Sequence, residues 1–511
     1  MMGPMTDAPA NTALIVPLTQ PTPEAMRAGM DAATQAGADM VECRLDYLQR
    51  PDRAALRLLL EGRPLPVIAT CRPTRQGGRF EGSETDRLGI LSAAAELKAD
   101  YVDVEDDCDP ARLPRARTIL SHHDFSARPG NLEAIVRRLA ESDAAVGKIA
   151  FAAAGPDDAL AALDILRSAG RPMIVLAMGE GGLASRVLAR KFGAFGTFAS
   201  LEEGAESAPG QLTVAEMKGL YRWGSIGAAT AVHGVVGCPV AHSMSPAIHN
   251  AAFAEAGIDA VYVPMLTEPG PESFNRLFDA LAGAAWLDFR GLSVTIPHKQ
   301  NALSRVGGDS VDELSRRIGA INTVLFGGDG SPRGWNTDYA AAIDALAAGM
   351  GIAREGLAGR AVAVIGAGGA SRAIVAALAQ YGAEVTIYNR TFPRAEALAG
   401  EFGARARPLE AVGELAAEIV INCTSVGMHP KADETPVPPE ALAGAAVVFD
   451  TVYNPIETRL LREAGAAGCT TVSGVDMFVN QAVEQFGIWT GQPAPRQLMR
   501  SIVVEQLSRE T

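Results

Sequence analysis

The sequence predicts an α/β protein made of one eight-unit strand–helix domain followed by two smaller α/β domains. Short β-type runs alternate with helical stretches throughout the first half of the chain. A strand, a glycine-rich turn and a helix start a separate series at Ala361. The chain has 511 residues, 48% of them hydrophobic, and so has room for about three domains of roughly 100–200 residues, each with its own core.

Eight β-type runs organise the first half, and most gaps between them fit one helix with its loops. The runs are Ala13–Val16, Met40–Leu45, Val67–Thr70, Tyr101–Val104, Thr118–Ser121, Val146–Phe151, Met173–Ala177 and Gly196–Ala199. Eight such units are typical of a (β/α)8 barrel, whose active site lies at the carboxyl ends of its strands. An open doubly wound sheet fits the same pattern, so this alternative remains open here.

The second half begins after a weakly patterned segment at 224–231, which we interpret as the junction. We expect the barrel at 1–228, a second domain at 229–335 that residues 480–511 complete, and a third domain at 336–479. Gly327–Gly334 is rich in glycine and predicts a turn between strands.

Composition and charge favour a protein that acts on small molecules. The net charge of −14 opposes binding to nucleic acid, but a few local cations could still hold a small anion. No run approaches the roughly 18 apolar residues of a membrane span. Met1–Asn11 lacks a signal-peptide pattern and predicts a disordered tail. We expect a cytoplasmic protein without nucleic-acid or membrane partners, and the sequence leaves its oligomeric state unknown.

The cysteines indicate neither a disulfide framework nor a metal site. They are scattered, without CxxC or Cys/His ligand spacing, at Cys43, Cys71, Cys108, Cys238, Cys423 and Cys469. Free thiols are typical of a reducing cytosol, and we expect no metal. The chain also lacks the Gly-x-Ser-x-Gly elbow of serine hydrolases and the Gly-x4-Gly-Lys-Ser/Thr phosphate loop.

A dinucleotide site is predicted near the start of the third domain. The strand Val362–Ile365 precedes a helix at Arg372–Gln380. The turn between them consists of Gly366, Ala367, Gly368, Gly369, Ala370 and Ser371. Such a turn lets the backbone approach a pyrophosphate at a helix N-terminus.

The end of the next strand, Val385–Tyr388, favours NADP(H) over NAD(H) as the cofactor. An NAD enzyme usually places an acid there for the ribose 2′-hydroxyl. This chain has Asn389, Arg390 and Thr391, with Arg394 shortly after. The arginines would hold a 2′-phosphate that an acid would repel. A surface turn with solvated arginines is the alternative.

Small polar residues and one lysine end several elements of the second half. They are Ser243, Ser245, Lys299, Asn322 and Asp338. Ser245 stands before a proline and would make a good helix N-cap, and Asp338 could cap the helix that follows it. A lysine beside an aspartate is also a plausible proton donor for a carbonyl that hydride converts to an alkoxide.

The second half resembles the shikimate dehydrogenases. Its motifs span nearly all of 232–511 in the family's order: Ser-Met-Ser-Pro at 243–246, Val-Thr-Ile-Pro-His-Lys at 294–299, Gly-Ala-Ile-Asn-Thr at 319–323, Asn-Thr-Asp at 336–338, the glycine turn, Asn-Arg-Thr at 389–391 and Val-Asp-Met-Phe-Val-Asn-Gln-Ala at 475–482. The resemblance implies a two-lobed dehydrogenase with a Rossmann-type NADP domain.

The same resemblance implies roles for individual residues. Lys299 and Asp338 would be the catalytic pair. The residues that bind shikimate would be Asp338, Ser243, Ser245, Thr295, Asn322 and Gln481. Tyr453, Gly474 and Met477 match positions at the cofactor and substrate.

Charged residues also mark the strands of the predicted barrel. Glu42 and Arg44 lie two apart on one strand and therefore face the same side, where an interior salt bridge is the alternative to a ligand. Arg72 ends the third run, and Arg186 follows the seventh.

A histidine and a lysine are the candidate catalytic groups of the barrel. His122 and His123 are neighbours on a strand, so only one can face inward. Lys148 lies among apolar residues of the sixth run. Burial would favour its uncharged amine, a nucleophile for carbonyls, and a structural ion-paired lysine is the alternative.

The first half resembles the type I 3-dehydroquinate dehydratases. The motifs occur in family order over 13–211: Glu-x-Arg-x-Asp at 42–46, Arg72, His-Asp-Phe at 123–125, Gly-Lys-Ile-Ala at 147–150, Ser-Arg at 185–186 and Ser-Ala-Pro-Gly-Gln at 207–211. The resemblance implies that Lys148 forms an imine with the substrate ketone and that His123 moves the protons. The substrate would be held by Glu42, Arg44, Arg72, Arg186, Ser207 and Gln211.

One residue departs from the dehydratase pattern. Many members carry Glu-Gly-Gly where this chain has Gln76 followed by two glycines, near the catalytic histidine. A neutral amide can orient an imidazole but cannot stabilise an imidazolium by charge. We therefore hypothesise a working dehydratase with an altered pH profile.

The two resemblances name consecutive reactions, from 3-dehydroquinate to 3-dehydroshikimate and on to shikimate, as in dehydratase–dehydrogenase fusions of the shikimate pathway. Three alternatives remain. Arg390 and Arg394 argue against an NAD-dependent quinate/shikimate dehydrogenase. The four candidate catalytic residues argue against an inactive half and against a metabolite-sensing regulator.

Overall fold

The computed structural model describes residues 12–241, 243–327 and 331–510. The predicted tail at Met1–Asn11 and the middle of the predicted Gly327–Gly334 turn lie outside this range. The chain folds into two compact units and passes from one to the other after His242, after Ile258 and after Phe289. In the described residues, no helix combines the length and the hydropathy needed to cross a bilayer.

Eight parallel strands form the first sheet. Strands β1–β8 are Ala13–Leu18, Met40–Arg44, Val67–Thr70, Tyr101–Glu105, Thr118–Asp124, Val146–Ala152, Met173–Met178 and Gly196–Phe198. Each strand lies beside its neighbour in sequence, and β8 lies beside β1. Phe195 N donates to Met173 O at 2.8 Å and so links the segment before β8 to β7. This sequential order confirms the barrel and excludes the open doubly wound sheet.

Helices separate the strands along the chain except between β4 and β5, which a short 3-10 helix at Pro110–Arg112 connects. Helices α1–α7 are Pro23–Ala36, Arg53–Leu60, Glu84–Glu96, Leu132–Glu141, Pro156–Ser168, Leu183–Val187 and Val214–Gly219. Inside the barrel, one apolar cluster draws residues from all eight strands: Ile15, Met40, Ile68, Tyr101, Ile119, Val146, Ile174, Leu176 and Phe198. Because this cluster fills the interior, the polar residues are confined to later strand positions, at the carboxyl ends.

The first unit continues past the barrel into a strand pair. Strands β9 (Ala231–Gly237) and β10 (Ala260–Leu266) are parallel, and the chain between them carries helix α8 (Ser245–Glu255). Helix α9 (Pro271–Gly283) follows. The junction at 224–231 is fixed by the barrel, because Lys191 Nζ donates to Thr230 O at 2.8 Å.

The second unit contains an antiparallel ladder and several helices. Strands β11 (Phe289–Val294), β12 (Thr323–Phe326) and β13 (Pro332–Trp335) pair in that order. Strand β13 begins at Pro332, so the predicted Gly327–Gly334 turn extended too far toward the carboxyl end. Helices α10–α12 are Lys299–Val306, Glu313–Ile318 and Thr337–Met350.

A six-stranded parallel sheet completes the second unit. Strands β14–β19 are Ala361–Ile365, Glu384–Asn389, Arg405–Pro408, Ile419–Asn422, Val447–Asp450 and Thr470–Val472. The helices are α13–α17 at Gly369–Gln380, Phe392–Phe402, Arg459–Ala466, Gly474–Thr490 and Arg496–Glu510. The strand order β16-β15-β14-β17-β18-β19 is that of a Rossmann fold, with its switch point between β14 and β17.

Candidate active sites

The barrel holds a cavity above its apolar core. All eight residues that the sequence predicted for this site line the cavity: Glu42, Arg44, Arg72, His123, Lys148, Arg186, Ser207 and Gln211.

Lys148 lies on β6 and is buried, with 5% of its surface exposed. Its Nζ is 3.0 Å from Asp103 Oδ2 and 3.6 Å from Glu42 Oε1. The ammonium also lies 4.6 Å from the centre of the Phe198 ring. The structure therefore combines both sequence interpretations: the lysine is ion-paired, and it also faces the cavity.

Asp103 and its neighbour on β4, Glu105, were not among the predicted site residues. Asp103 pairs with Arg72 at 3.1 Å, and Arg72 pairs with Glu105 at 2.8 Å. Glu105 also pairs with Arg87, whose Nη1 lies 2.5 Å from Glu105 Oε2. The sequence did contain a signal for these two residues: Asp103 and Glu105 lie two apart on one strand, as Glu42 and Arg44 do. Their partners on other strands become visible only in the fold.

His123 is the histidine of the pair that faces the cavity. Burial first, and then the positive charges of Arg72, Lys148, His122 and Arg44, hold the pKa of His123 well below its usual value. Its Nδ1 has no hydrogen-bond partner among the described residues. Its ring stacks on Phe125, with ring centres 6.0 Å apart. A neutral, half-buried imidazole of this kind can accept a proton.

Gln76 also lines the cavity, and its buried Oε1 has no partner in the described chain. A tight turn presents it, in which Gly78 N donates to Pro73 O at 3.0 Å. A Cβ on Gly78 would lie 2.0 Å from Arg72 O, so only glycine fits there. The turn thus fixes the Gln76 backbone at the rim of the cavity.

Arg186 differs from the other cations that line this cavity, because it has no carboxylate partner among the described residues. It is 1% exposed. Burial alone lowers the pKa of Arg186 to about 10. Its one hydrogen bond is a long one, from Nη2 to Pro209 O at 3.4 Å, in the loop where Gln211 Nε2 donates to Ser207 Oγ. A buried guanidinium with unused donors is suited to an anionic ligand.

In the second unit, Lys299 and Asp338 form a close pair. Lys299 Nζ is 2.6 Å from Asp338 Oδ2, and Asn322 Nδ2 donates to Asp338 Oδ1 at 2.9 Å. Asp338 is not the cap of α12, because Asn336 holds that position and accepts the N–H of Asp338 at 3.1 Å. The capping alternative for Asp338 was therefore wrong, and its carboxylate is available to Lys299.

The other predicted shikimate-binding residues make local contacts. Ser245 is the first residue of α8 and not its N-cap, so that interpretation was also wrong. Ser243 Oγ instead accepts the N–H of Ser245 at 3.3 Å. Thr295 follows β11, and Gln481 Nε2 donates to Phe478 O on α16 at 3.0 Å. Among the described residues, no hydrogen bond joins the Lys299–Asp338 pair to the side chains of Ser243, Ser245, Thr295 and Gln481.

The glycine turn follows β14 as predicted, but helix α13 begins at Gly369, three residues earlier than Arg372. Gly366 has a φ of +111°, which favours glycine. A Cβ on Gly368 or Gly369 would meet nothing within 4 Å, so a ligand can approach the backbone there. The helix N-terminus and this open backbone suit a pyrophosphate.

The segment after β15 fits a 2′-phosphate. Asn389 ends the strand and its Nδ2 donates to Thr391 O at 2.8 Å. Arg390 and Arg394 are exposed, and neither has a carboxylate partner in the described residues. The residues present therefore fit NADP(H).

Three further predicted residues lie around the carboxyl end of β18. Tyr453 stacks on Phe478, with ring centres 5.2 Å apart. Gly474 starts α16, where a Cβ would lie 2.4 Å from Val452 O. Met477 packs against the core of the parallel sheet. The backbone of Gly474 thus packs directly on the segment that carries Tyr453.

Fold and sites together define a chain with two enzyme centres: a barrel site built around a buried amine, and an oxidoreductase site beside a dinucleotide fold. Family models match four stretches of the chain. They are Type I 3-dehydroquinase at 14–227, Shikimate dehydrogenase substrate binding domain at 235–324, Shikimate / quinate 5-dehydrogenase at 351–431 and Shikimate 5′-dehydrogenase C-terminal domain at 474–503.

Individual relatives cover one or both halves. A bifunctional 3-dehydroquinate dehydratase/shikimate dehydrogenase of Arabidopsis thaliana is 40% identical over 92% of this chain and 81% of its own length. An NADP(+)-dependent shikimate dehydrogenase of Methanosarcina acetivorans is 45% identical over 54% of this chain and 98% of its own. A crystal structure of a shikimate dehydrogenase in complex with NADP+ matches with a TM-score of 0.50 and 36% identity, covering 55% of this chain and 96% of that one. The chain belongs to the family of bifunctional 3-dehydroquinate dehydratase/shikimate dehydrogenases.

Proposed function

We propose that the barrel dehydrates 3-dehydroquinate to 3-dehydroshikimate and that the second half reduces 3-dehydroshikimate to shikimate with NADPH. The observation that carries the barrel activity is Arg186, a buried cation without a counter-ion in the cavity that Lys148 and His123 also line. An anionic ketone such as 3-dehydroquinate would supply the missing negative charge.

In the dehydration, the amine of Lys148 forms an imine with the substrate ketone. The iminium withdraws electrons and so acidifies the adjacent C–H bond. His123, held neutral by burial and by its cationic neighbours, removes that proton and passes one to the departing hydroxyl, which leaves as water. Arg186 holds the carboxylate, and Glu42, Arg44, Arg72, Ser207 and Gln211 complete the pocket.

In the reduction, bound NADPH supplies the hydride to the ketone carbon. Lys299 donates a proton to the carbonyl oxygen, and Asp338 holds the Lys299 ammonium in place at 2.6 Å. Asn322 orients the Asp338 carboxylate. Ser243, Ser245, Thr295 and Gln481 bind the hydroxyls and carboxylate of the substrate.

Groups around the glycine turn would hold the cofactor. The turn Gly366–Ala370 and the N-terminus of α13 bind the pyrophosphate. Asn389, Arg390, Thr391 and Arg394 bind the adenosine ribose with its 2′-phosphate, while Tyr453, Gly474 and Met477 lie toward the nicotinamide. The open backbone at Gly368 and the unpaired arginines support this placement.

Replacing Arg186 tests the barrel assignment. We expect Arg186→Ala to raise the KM for 3-dehydroquinate roughly 10- to 100-fold, because a charged hydrogen bond contributes about 1.5–3 kcal/mol. Lys148→Ala should abolish dehydration altogether. Both variants should keep wild-type reduction of 3-dehydroshikimate, which shows that the second half is folded. An unchanged KM in Arg186→Ala would remove the main support for an anionic substrate in this cavity.

The domain limits and the location in the cell are also proposals. Limits at 1–228, 229–335 with 480–511, and 336–479 are supported by Trp489 Nε1, which donates to Val324 O and ties α16 to β12. A cytoplasmic location is supported by six free cysteines in the described chain. Fractionation of the source cells would test it, and recovery with an organelle would contradict it.

A further inference from the structure

Asp103 is the carboxylate nearest to the candidate nucleophile of the barrel. It is fully buried on β4, and its Oδ2 accepts a hydrogen bond from Lys148 Nζ at 3.0 Å. Its other oxygen, Oδ1, accepts from Ser121 Oγ at 2.8 Å and lies 3.1 Å from Arg72. The second carboxylate near the lysine, Glu42, is 3.6 Å away. Lys148 thus has one hydrogen-bonded acid, and that acid is held in a fixed orientation.

The groups around Asp103 keep its carboxylate ionised. Burial alone would raise the pKa of Asp103, but the charges of Arg72 and Lys148 and the hydrogen bonds from Ser121 and Lys148 outweigh it and lower the pKa. The carboxylate is therefore ionised in the resting site, where it pairs with Lys148 at 3.0 Å. An ammonium has no lone pair, so Lys148 must lose a proton before it can attack a ketone.

We propose that Asp103 is a further catalytic residue of the barrel, which takes a proton from the Lys148 ammonium so that the amine can attack the substrate ketone. This inference rests on the proposed dehydratase function. The N–C bond forms as the C=O π electrons move to oxygen, and Asp103 returns its proton to that oxygen. A second proton then moves from nitrogen to the same oxygen, the C–O bond breaks with release of water, and the nitrogen lone pair forms C=N.

Overall, one ketone and one ammonium give one iminium and one water. Two of the three ammonium protons leave with the ketone oxygen, and one stays on nitrogen. Asp103 ends as it began, a carboxylate, and now faces the positive iminium. A neutral residue at this position could accept a hydrogen bond but could not carry the proton.

Trapping of the iminium with borohydride tests the proposal. The full-length protein would be mixed with 3-dehydroquinate, quenched with sodium borohydride at increasing times, and analysed by intact mass for the reduced adduct. We expect Asp103→Asn, which is isosteric, to form the adduct at least ~100-fold more slowly than wild type, since positioned acid–base groups contribute about 10²–10⁴-fold. Ser121→Ala, which keeps the carboxylate and removes one hydrogen bond to it, should slow the adduct only about fivefold.

Two controls separate the outcomes. Reduction of 3-dehydroshikimate should be unchanged in both variants, and thermal melting should show an intact barrel. If Asp103→Asn does not fold, Ser121→Ala is the variant that tests the proposal. Adduct formation at the wild-type rate in Ser121→Ala then overturns it. With a folded Asp103→Asn, adduct formation within threefold of wild type overturns it. If wild type forms no adduct, the proposed imine chemistry of Lys148 fails instead.

Discussion

At the scale of single residues, the barrel cavity separates its cations into two kinds. Arg72 and Lys148 are neutralised by carboxylates on β4, whereas Arg186 is buried without one. Paired cations hold the site together, and an unpaired one is left for the ligand. The sequence indicated all three as site residues. It could not distinguish the paired cations from the unpaired one, because pairing depends on which residues the fold brings into contact.

The neutral His123 gives a prediction about pH. The pKa of His123 lies well below its usual value, mainly because of burial and then because of Arg72, Lys148, His122 and Arg44, and Gln76 adds no negative charge to oppose them. We expect Gln76→Glu to raise this pKa, because a carboxylate favours the imidazolium. Loss of the base on acidification would then begin at higher pH.

The measurement is kcat/KM for dehydration against pH in wild type and Gln76→Glu. The acidic limb should move to higher pH in the variant. The dehydrogenase pH profile of the same variant is the control and should not move. Superimposable dehydratase profiles would refute the link between Gln76 and His123.

At the scale of elements, the alternation of β-type runs and helices predicted the barrel strands to within a few residues at each end. The errors were at helix starts. Helix α13 begins at Gly369 because the glycine backbone can itself enter the first turn, and Ser371 Oγ then accepts from Gly368 N at 3.2 Å. The caps expected at Ser245 and Asp338 were also wrong, because Met244 is the N-cap of α8, without a side-chain cap, and Asn336 caps α12.

The segment after β15 gives a prediction about cofactor choice. Arg390→Ala and Arg394→Ala should each raise the KM for NADPH roughly 10- to 100-fold, because each loses a charged contact to the 2′-phosphate. The KM for NADH, which lacks that phosphate, should stay within about twofold. Arg405→Ala is the matched control, since Arg405 is an exposed arginine of the same sheet that pairs with Glu384. Equal losses for both cofactors would show that the arginines do not read the phosphate.

The turn after β18 gives a prediction about stability. Asp450 is buried and accepts from Asn422 Nδ2, Val452 N and Thr458 Oγ1 at 2.9, 3.0 and 2.6 Å. Burial raises the pKa of Asp450 to about 6, although these hydrogen bonds work in the opposite direction. Because the folded pKa lies above the unfolded one, the folded state binds the extra proton between about pH 4 and pH 6, and the free energy of unfolding falls as pH rises through that window.

The total fall attributable to Asp450 is about 3 kcal/mol. Asp450→Asn should remove it, so urea unfolding of the variant should depend less on pH than that of wild type between about pH 4 and pH 7. A constant offset between the two proteins would reflect lost hydrogen bonds and does not bear on the prediction. Parallel pH dependences would contradict it.

At the scale of the whole molecule, two activities that follow one another in chemistry are carried by one chain. The product of the barrel is the substrate of the second half, and covalent linkage keeps the two sites at a high effective concentration. The order of motifs along the sequence predicted this pairing. It could not predict the internal charge network of the barrel, because Asp103, Arg72 and Lys148 are distant in sequence and meet only in the folded sheet.

The most direct test of the account follows NADPH absorbance when the purified protein is given 3-dehydroquinate. Wild type should oxidise NADPH, because both halves act in sequence. Lys148→Ala should do so only when given 3-dehydroshikimate, and Lys299→Ala should be strongly impaired with either substrate. A wild-type protein that reduces 3-dehydroshikimate but ignores 3-dehydroquinate would contradict the assignment of the barrel as a working dehydratase.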